Sequence, residues 1–300
     1  MKNISATRNL LLLGAVALGL ALGGRVAFLD PFAMPILMVI TTVSMSGFAW
    51  REFRRPLLLA RPLAVGIILN QLLLGGAMLA CAWALVDDPL LRAGFVLVAA
   101  APPGIAIMPF TRLCAGDMTL STVGLVGGFA ATLVLAPLLA AALLGDALIT
   151  PWHLAPALIK LLVAPFLAAR MIIRAGLAHR VSRWHGTVVN WGFAAIVLAA
   201  VGVNREIFLE RHDILLRAGG AAAASVFGPA LLLGALFSRP DVDRGRRASL
   251  VLLGTIKMSA FSTAIGLELI GKTASVPGVL VTVSNIALLI LAPHWLGKRD

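Results

Sequence analysis

Two places in this 300-residue chain hold residue types that long apolar sequence rarely carries. The first is Val98–Thr111, where Pro102, Pro103 and Pro109 withhold backbone donors and Gly104 admits torsions that other residues avoid. A helix interrupted there leaves carbonyls free. In hydrocarbon such carbonyls need water, a cation or a neighbouring donor, so the segment reads as a broken helix lining a cavity, against the plainer reading of a kinked helix. The second place is Lys257, in the middle of the apolar run 248–270. An ammonium at that depth costs several kcal/mol unless it finds water or a partner. Lys257 is therefore a candidate anion-binding or protonatable group, or a structural lysine bonded to the carbonyls that the first break exposes.

Other polar residues are weaker candidates. Asn70, Gln71, Asn190, Ser225, Ser284 and Asn285 sit deep in apolar runs, where each can line a site or hydrogen-bond one helix to another. Lys160 lies nearer the end of its run and can snorkel to the surface. His153, His179, His185, His212 and His294 show no metal-ligand spacing, and neither a P-loop nor a nucleophile elbow is present. The expectation is no catalytic residue, no bound metal, no cofactor and no ATP-driven pump.

The elements that position these residues must be membrane helices. Hydrophobic residues make up 60% of the chain and charged residues 13%, with a mean hydropathy of +0.98. Soluble globules average about 45–50% and about 25%. The net charge of +12 sits between apolar runs, where it faces anionic lipid rather than nucleic acid. Apolar segments at 9–28, 32–50, 62–85, 90–110, 118–143, 153–174, 187–204, 214–237, 248–270 and 276–296 predict an all-α protein of about ten spans. The first, behind Lys2 and Arg8, reads as a retained helix rather than a cleaved signal peptide. Cys81 and Cys114 are not expected to pair.

With both termini in the cytoplasm of a bacterium, the inner loops collect most of the Lys and Arg. They hold Arg51, Arg54, Arg55, Arg61, Arg112, Arg170, Arg174, Arg180, Arg183, Arg239, Arg244, Arg246 and Arg247. Arg25, Arg92, Arg205, Arg211, Arg217 and Lys272 fall outside, several beside acids such as Asp87 and Glu206. Five spans precede the loop around Asp146–Pro151 and five follow. The odd number predicts two oppositely oriented repeats, 1–145 and 146–300, with broken helices meeting at the midplane, as secondary transporters are often built.

Specific residues now carry a resemblance. Ser46-Gly47-Phe48, Glu52-Phe53 and Arg61-Pro62, followed by Asn70 or Gln71, resemble the second-to-third helix region of the bile acid:sodium symporter family. Pro102 to Ser121, ending in Leu113-Cys114-Ala115-Gly116-Asp117-Met118-Thr119-Leu120-Ser121, is similar to that family's fourth-helix signature. The resemblance implies a four-helix panel against a six-helix core, crossing broken helices four and nine, and an organic-anion substrate. It also implies a sodium-ligand set that this chain largely does not keep. The family's fourth-helix Ser-Asn pair falls on Ile107 and Met108. Its ninth-helix Glu, Gly, Gln and Asn fall on Leu252, Gly254, Ile256 and Lys257. Asn70 stands at the third-helix Gln position, and Ser121 is retained.

The expectation is thus a secondary transporter of a small organic anion, bile acid or carboxylate-like, through a site built from Lys257, Pro102, Pro103, Gly104, Met108, Thr111, Asn70, Gln71, Ser121, Asn190 and Asn285. Sodium is disfavoured as the coupling ion and a proton is open. The competing class is a membrane sensor or binding protein that keeps the fold without transport. A cation channel is disfavoured by an intramembrane lysine with no nearby acid.

Overall fold

The computed structural model describes residues 2–47, 56–144 and 156–296. The loop around Asp146–Pro151, the motif residues Phe48, Glu52 and Phe53, Arg51, Arg54, Arg55, His153 and the terminal Lys298 and Arg299 lie outside the described residues. Within them the chain is helical and has no strand. Seven stretches are long and apolar enough to cross a membrane: Leu10–Ser46, Leu59–Leu85, Met118–Leu143, Pro156–Arg174, Ala178–Val203, His212–Leu236 and Lys272–Leu296. The expected fourth and ninth spans are instead divided into shorter helices.

The first two expected spans form one helical run, α1 (Lys2–Leu22), a 3-10 stretch (Gly23–Phe32) and α2 (Ala33–Ser46). It nevertheless turns back on itself. A Cβ on Gly202 would meet Val26, while one on Gly192 would meet Ile36 and Ile40. The later part of the run therefore descends the helix that the earlier part reached. Gly23, at φ 57, starts the reversal, a torsion that costs glycine little.

The third expected span comprises α3 (Pro56–Ile67), a π turn (Ile68–Leu74) and α4 (Gly75–Leu85). The π turn carries Asn70 and Gln71, and π turns of this kind often sit at functional places. Next, α5 (Pro89–Ala100) begins on the Asp88 side chain, which accepts from Leu90 N and Leu91 N at 2.8 and 2.9 Å, with proline in its first turn. After the break come α6 (Ile107–Leu113) and α7 (Met118–Leu143), the latter capped by Asp117 through Leu120 N at 2.9 Å. The second half supplies α8 (Ala164–Arg174), α9 (Ala178–Val203) and α10 (His212–Leu236). The ninth expected span is α11 (Arg244–Leu253) and α12 (Ser259–Ile265), continued by a π turn (Gly266–Ile270), and α13 (Lys272–Leu296) closes the chain.

Packing sorts these helices into two groups. In one, α1 and α2 lie on α9, and α2 also lies on α8. In the other, α3 packs on α7, α4 on α5 and α10, and α13 on α5, α10 and α12. Glycine permits the closest of these approaches, for a Cβ on Gly66 would overlap the Gly124 backbone between α3 and α7. The groups meet where α9 touches α12 and α13 and where α2 touches α12. A separate apolar cluster of Leu12, Ala15, Val197, Val201, Val279 and Ile286 fills part of that seam.

Candidate functional site

The break in the fourth span follows from its prolines. Ala101 and Pro102 each precede a proline, which disfavours helical torsions, and Ala101 is extended at ψ 153. Pro102 and Pro103 bring no N–H, so the last carbonyls of α5 lose their usual donors. The ninth span opens at the same level, between Leu253 and Ser259. There the two breaks pair as a short antiparallel bridge: Gly104 N donates to Ile256 O and Met258 N to Pro102 O, both at 2.9 Å. Gly104 is required for this approach, because a Cβ would stand 2.7 Å from the Ile256 side chain and 2.9 Å from Lys257 O. Gly128 on α7 likewise leaves room for the Pro103 ring.

Lys257 completes the junction. Its Nζ donates to Gln71 Oε1, Ala99 O and Ala101 O, each at 2.7 Å, and the residue is 2% exposed. Three N–H donors meet three oxygens, which matches the inventory of an ammonium. Gln71 is oriented for this by Nε2, which donates to Thr132 Oγ1 at 2.9 Å and to Gly128 O at 3.2 Å. Asn70 donates through Nδ2 to Leu253 O and Ile256 O at 2.7 and 3.1 Å, satisfying the end of α11. Asn285 on α13 donates to Lys257 O at 3.3 Å. The Oδ1 atoms of Asn70 and Asn285 are buried without a hydrogen-bond partner.

The same spans are tied together a second time beyond the break. Asp117 N donates to Gly245 O at 3.2 Å and Ser249 Oγ to Asp117 O at 2.9 Å. Thr111 and Ser121 share a hydroxyl hydrogen bond of 2.8 Å between α6 and α7. Met108 is half-buried and accepts from Thr122 Oγ1 at 3.4 Å, while Ile107 is fully buried.

On the seam side of the crossing lies a largely apolar cavity walled by Gly104, Ser259, Thr282, Asn285, Phe193 and Val197, among others. Ser259 and Thr282 share a hydrogen bond of 2.7 Å on its wall. Its free volume is ≈ 70 Å³, room for several waters and far below the ~300–1,000 Å³ of small-molecule pockets. α12 starts at this cavity, and the first N–H groups of a helix have no acceptor within it.

Of the residues expected at a site, the fold gathers Lys257, Pro102, Pro103, Gly104, Asn70, Gln71 and Asn285 at the crossing. Thr111 and Met108, on the far half of the fourth span, and Ser121, at the start of α7, stand beside it. Asn190 is half-buried on α9 and does not line the cavity. Thr132, Ser259 and Thr282 belong to the arrangement without having drawn notice in the sequence. A hydroxyl in an apolar helix usually bonds its own preceding turn, as Thr132 also does to Gly128 O at 2.9 Å.

The family model described as the Sodium Bile acid symporter family matches residues 32–211. The match includes Asn70, Gln71 and the whole fourth-span break, and ends before the span that carries Lys257. No curated protein matches the chain.

Proposed function

Because the chain belongs to the sodium bile acid symporter family, we propose that it is a secondary transporter of a small organic anion, bile acid or carboxylate-like, in which the Lys257 ammonium stands in for a bound coupling cation. The observation that carries this reading is the set of three oxygens around Lys257 Nζ, each at 2.7 Å. An amide oxygen and two carbonyls freed by a helix break are the ligands a hard cation takes. Here a cation fixed to the chain takes them. Ile107, Met108, Leu252 and Ile256, at the positions where similar proteins carry polar sodium ligands, supply no carboxylate or amide to hold a diffusible ion.

Such a lysine leaves a fixed positive charge behind the apolar cavity, and the start of α12 adds the positive end of a helix dipole. Both favour a carboxylate or sulfonate there, with the apolar wall taking its carbon skeleton. The small free volume means that the substrate enters only when the α1–α2–α8–α9 group moves from α12 and α13, which is a reason to expect alternating access along that seam. The two breaks fall in the fourth place of each half, in keeping with inverted repeats at 1–145 and 146–300. A bacterial inner membrane, with both termini cytoplasmic, suits the distribution of Lys and Arg.

Uptake of labelled carboxylates and of taurocholate into proteoliposomes, under imposed sodium or pH gradients, tests this. The expected result is uptake of at least one such anion at the same rate with sodium or potassium outside. Absence of flux, with binding retained, would instead identify a sensor.

A further inference from the structure

A second cavity, ≈ 810 Å³ in volume, lies away from the crossing and shares no wall residue with the first. Its wall brings together Asp30 from the 3-10 stretch, Met34 and Met38 of α2, Lys160, Glu268 from the π turn after α12, and Lys272 at the start of α13. Two ammoniums and two carboxylates therefore face one space. Among the described residues the ion pairs are Arg92–Asp87, Arg217–Asp87 and Arg211–Asp213, so none of these four charges is neutralised by another at ion-pair distance. Asp30 Oδ1 is buried and lacks a hydrogen-bond partner. A buried acceptor without a donor is costly and calls for one from a ligand or from water.

We propose that this cavity binds an aliphatic ampholyte, an organic molecule with an amino group at one end and a carboxylate at the other. A simple carboxylate entering it gains Lys160 or Lys272 but meets Asp30 and Glu268. A simple amine gains the acids but meets the lysines. A molecule with both signs turns all four charges to use through charge-assisted hydrogen bonds, and the methionine strip accepts the methylenes between its ends. With the termini inside, the cavity opens on the outer face, where Lys160 finds a role beyond snorkelling.

Equilibrium binding of labelled δ-aminovalerate to the purified full-length protein tests the site, with valerate and amylamine as competitors. Saturable binding is expected, with each one-sign competitor weaker by about ten-fold or more. K160M and E268Q alter exposed side chains, so both variants should melt like the wild type while each weakens binding about ten-fold or more. No saturable binding, valerate binding as tightly as δ-aminovalerate, or binding unmoved by both substitutions would each overturn the proposal. The readout is binding rather than flux, so it stands or falls separately from the reading of the crossing.

Discussion

Ala99 O and Ala101 O are the carbonyls that Pro103 and the extended backbone leave without helical donors, and Lys257 is what reaches them. The lysine is thus both a charge and a peg, and the two roles separate by experiment. In K257M the chain length is kept but three buried acceptors lose a charged donor. Removing the ammonium also relieves its own desolvation. The lost hydrogen bonds to a charged group outweigh that relief, since their net worth of about 1.5–3 kcal/mol each already includes it. K257M should therefore lower the unfolding free energy by about 2–5 kcal/mol and abolish anion flux from the folded fraction. A thermal melt of the purified variant checks the first part, and an unchanged melting temperature would show that the lysine does not hold the break. The depth of Lys257 alone marks it as exceptional in the sequence. The break carbonyls are among the partners the sequence offers it, but Gln71 is not legible as one, because it lies 186 residues away in the chain.

The broken spans depend on close approach, so glycine substitutions report on them. In Gly128→Ala the new methyl meets the Pro103 ring, and either the ring or α7 must shift, costing about 1–3 kcal/mol. Gly228→Ala on α10 meets nothing and should be neutral or stabilising by up to about 1 kcal/mol through helix propensity. Comparing the two melting temperatures checks whether the effect belongs to the crossing, and equal shifts would contradict it. At this scale the fourth-span break is readable from Pro102, Pro103 and Gly104, whose local chemistry forbids a regular helix. The ninth is readable as a break only through the resemblance and the repeat of the two halves, for Gly254 to Met258 hold no proline. Its opening is tertiary, sustained by Asn70 on Leu253 O and Ile256 O and by the bridge to Pro102 and Gly104. The separation of the first two spans is legible by length, while the helical turn that joins them is not, because Gly23-Gly24 and Asp30-Pro31 read as loop residues rather than as helix.

For the whole molecule, orientation and coupling are the consequences. Exposed positions in loops of opposite expected side give the first: in a background lacking Cys81 and Cys114, Asp241→Cys should react with an impermeant thiol reagent only from the cytoplasmic side. Glu210→Cys should react only from outside, and the reverse pattern would invert the assigned topology. The composition makes a membrane protein legible at once, and the count of Lys and Arg suggests its direction. The grouping of α1, α2, α8 and α9 against the remaining helices is not legible residue by residue, since it joins elements from both halves of the chain, and only the resemblance, with its four-helix panel, points to it. If a tethered ammonium fills the cation position at the crossing, the protein has no place for sodium, whatever its substrate. Equilibrium binding of radioactive sodium to the purified wild-type protein tests this directly. No saturable binding is expected, and saturable, stoichiometric sodium binding would show that Lys257 does not occupy the cation's place.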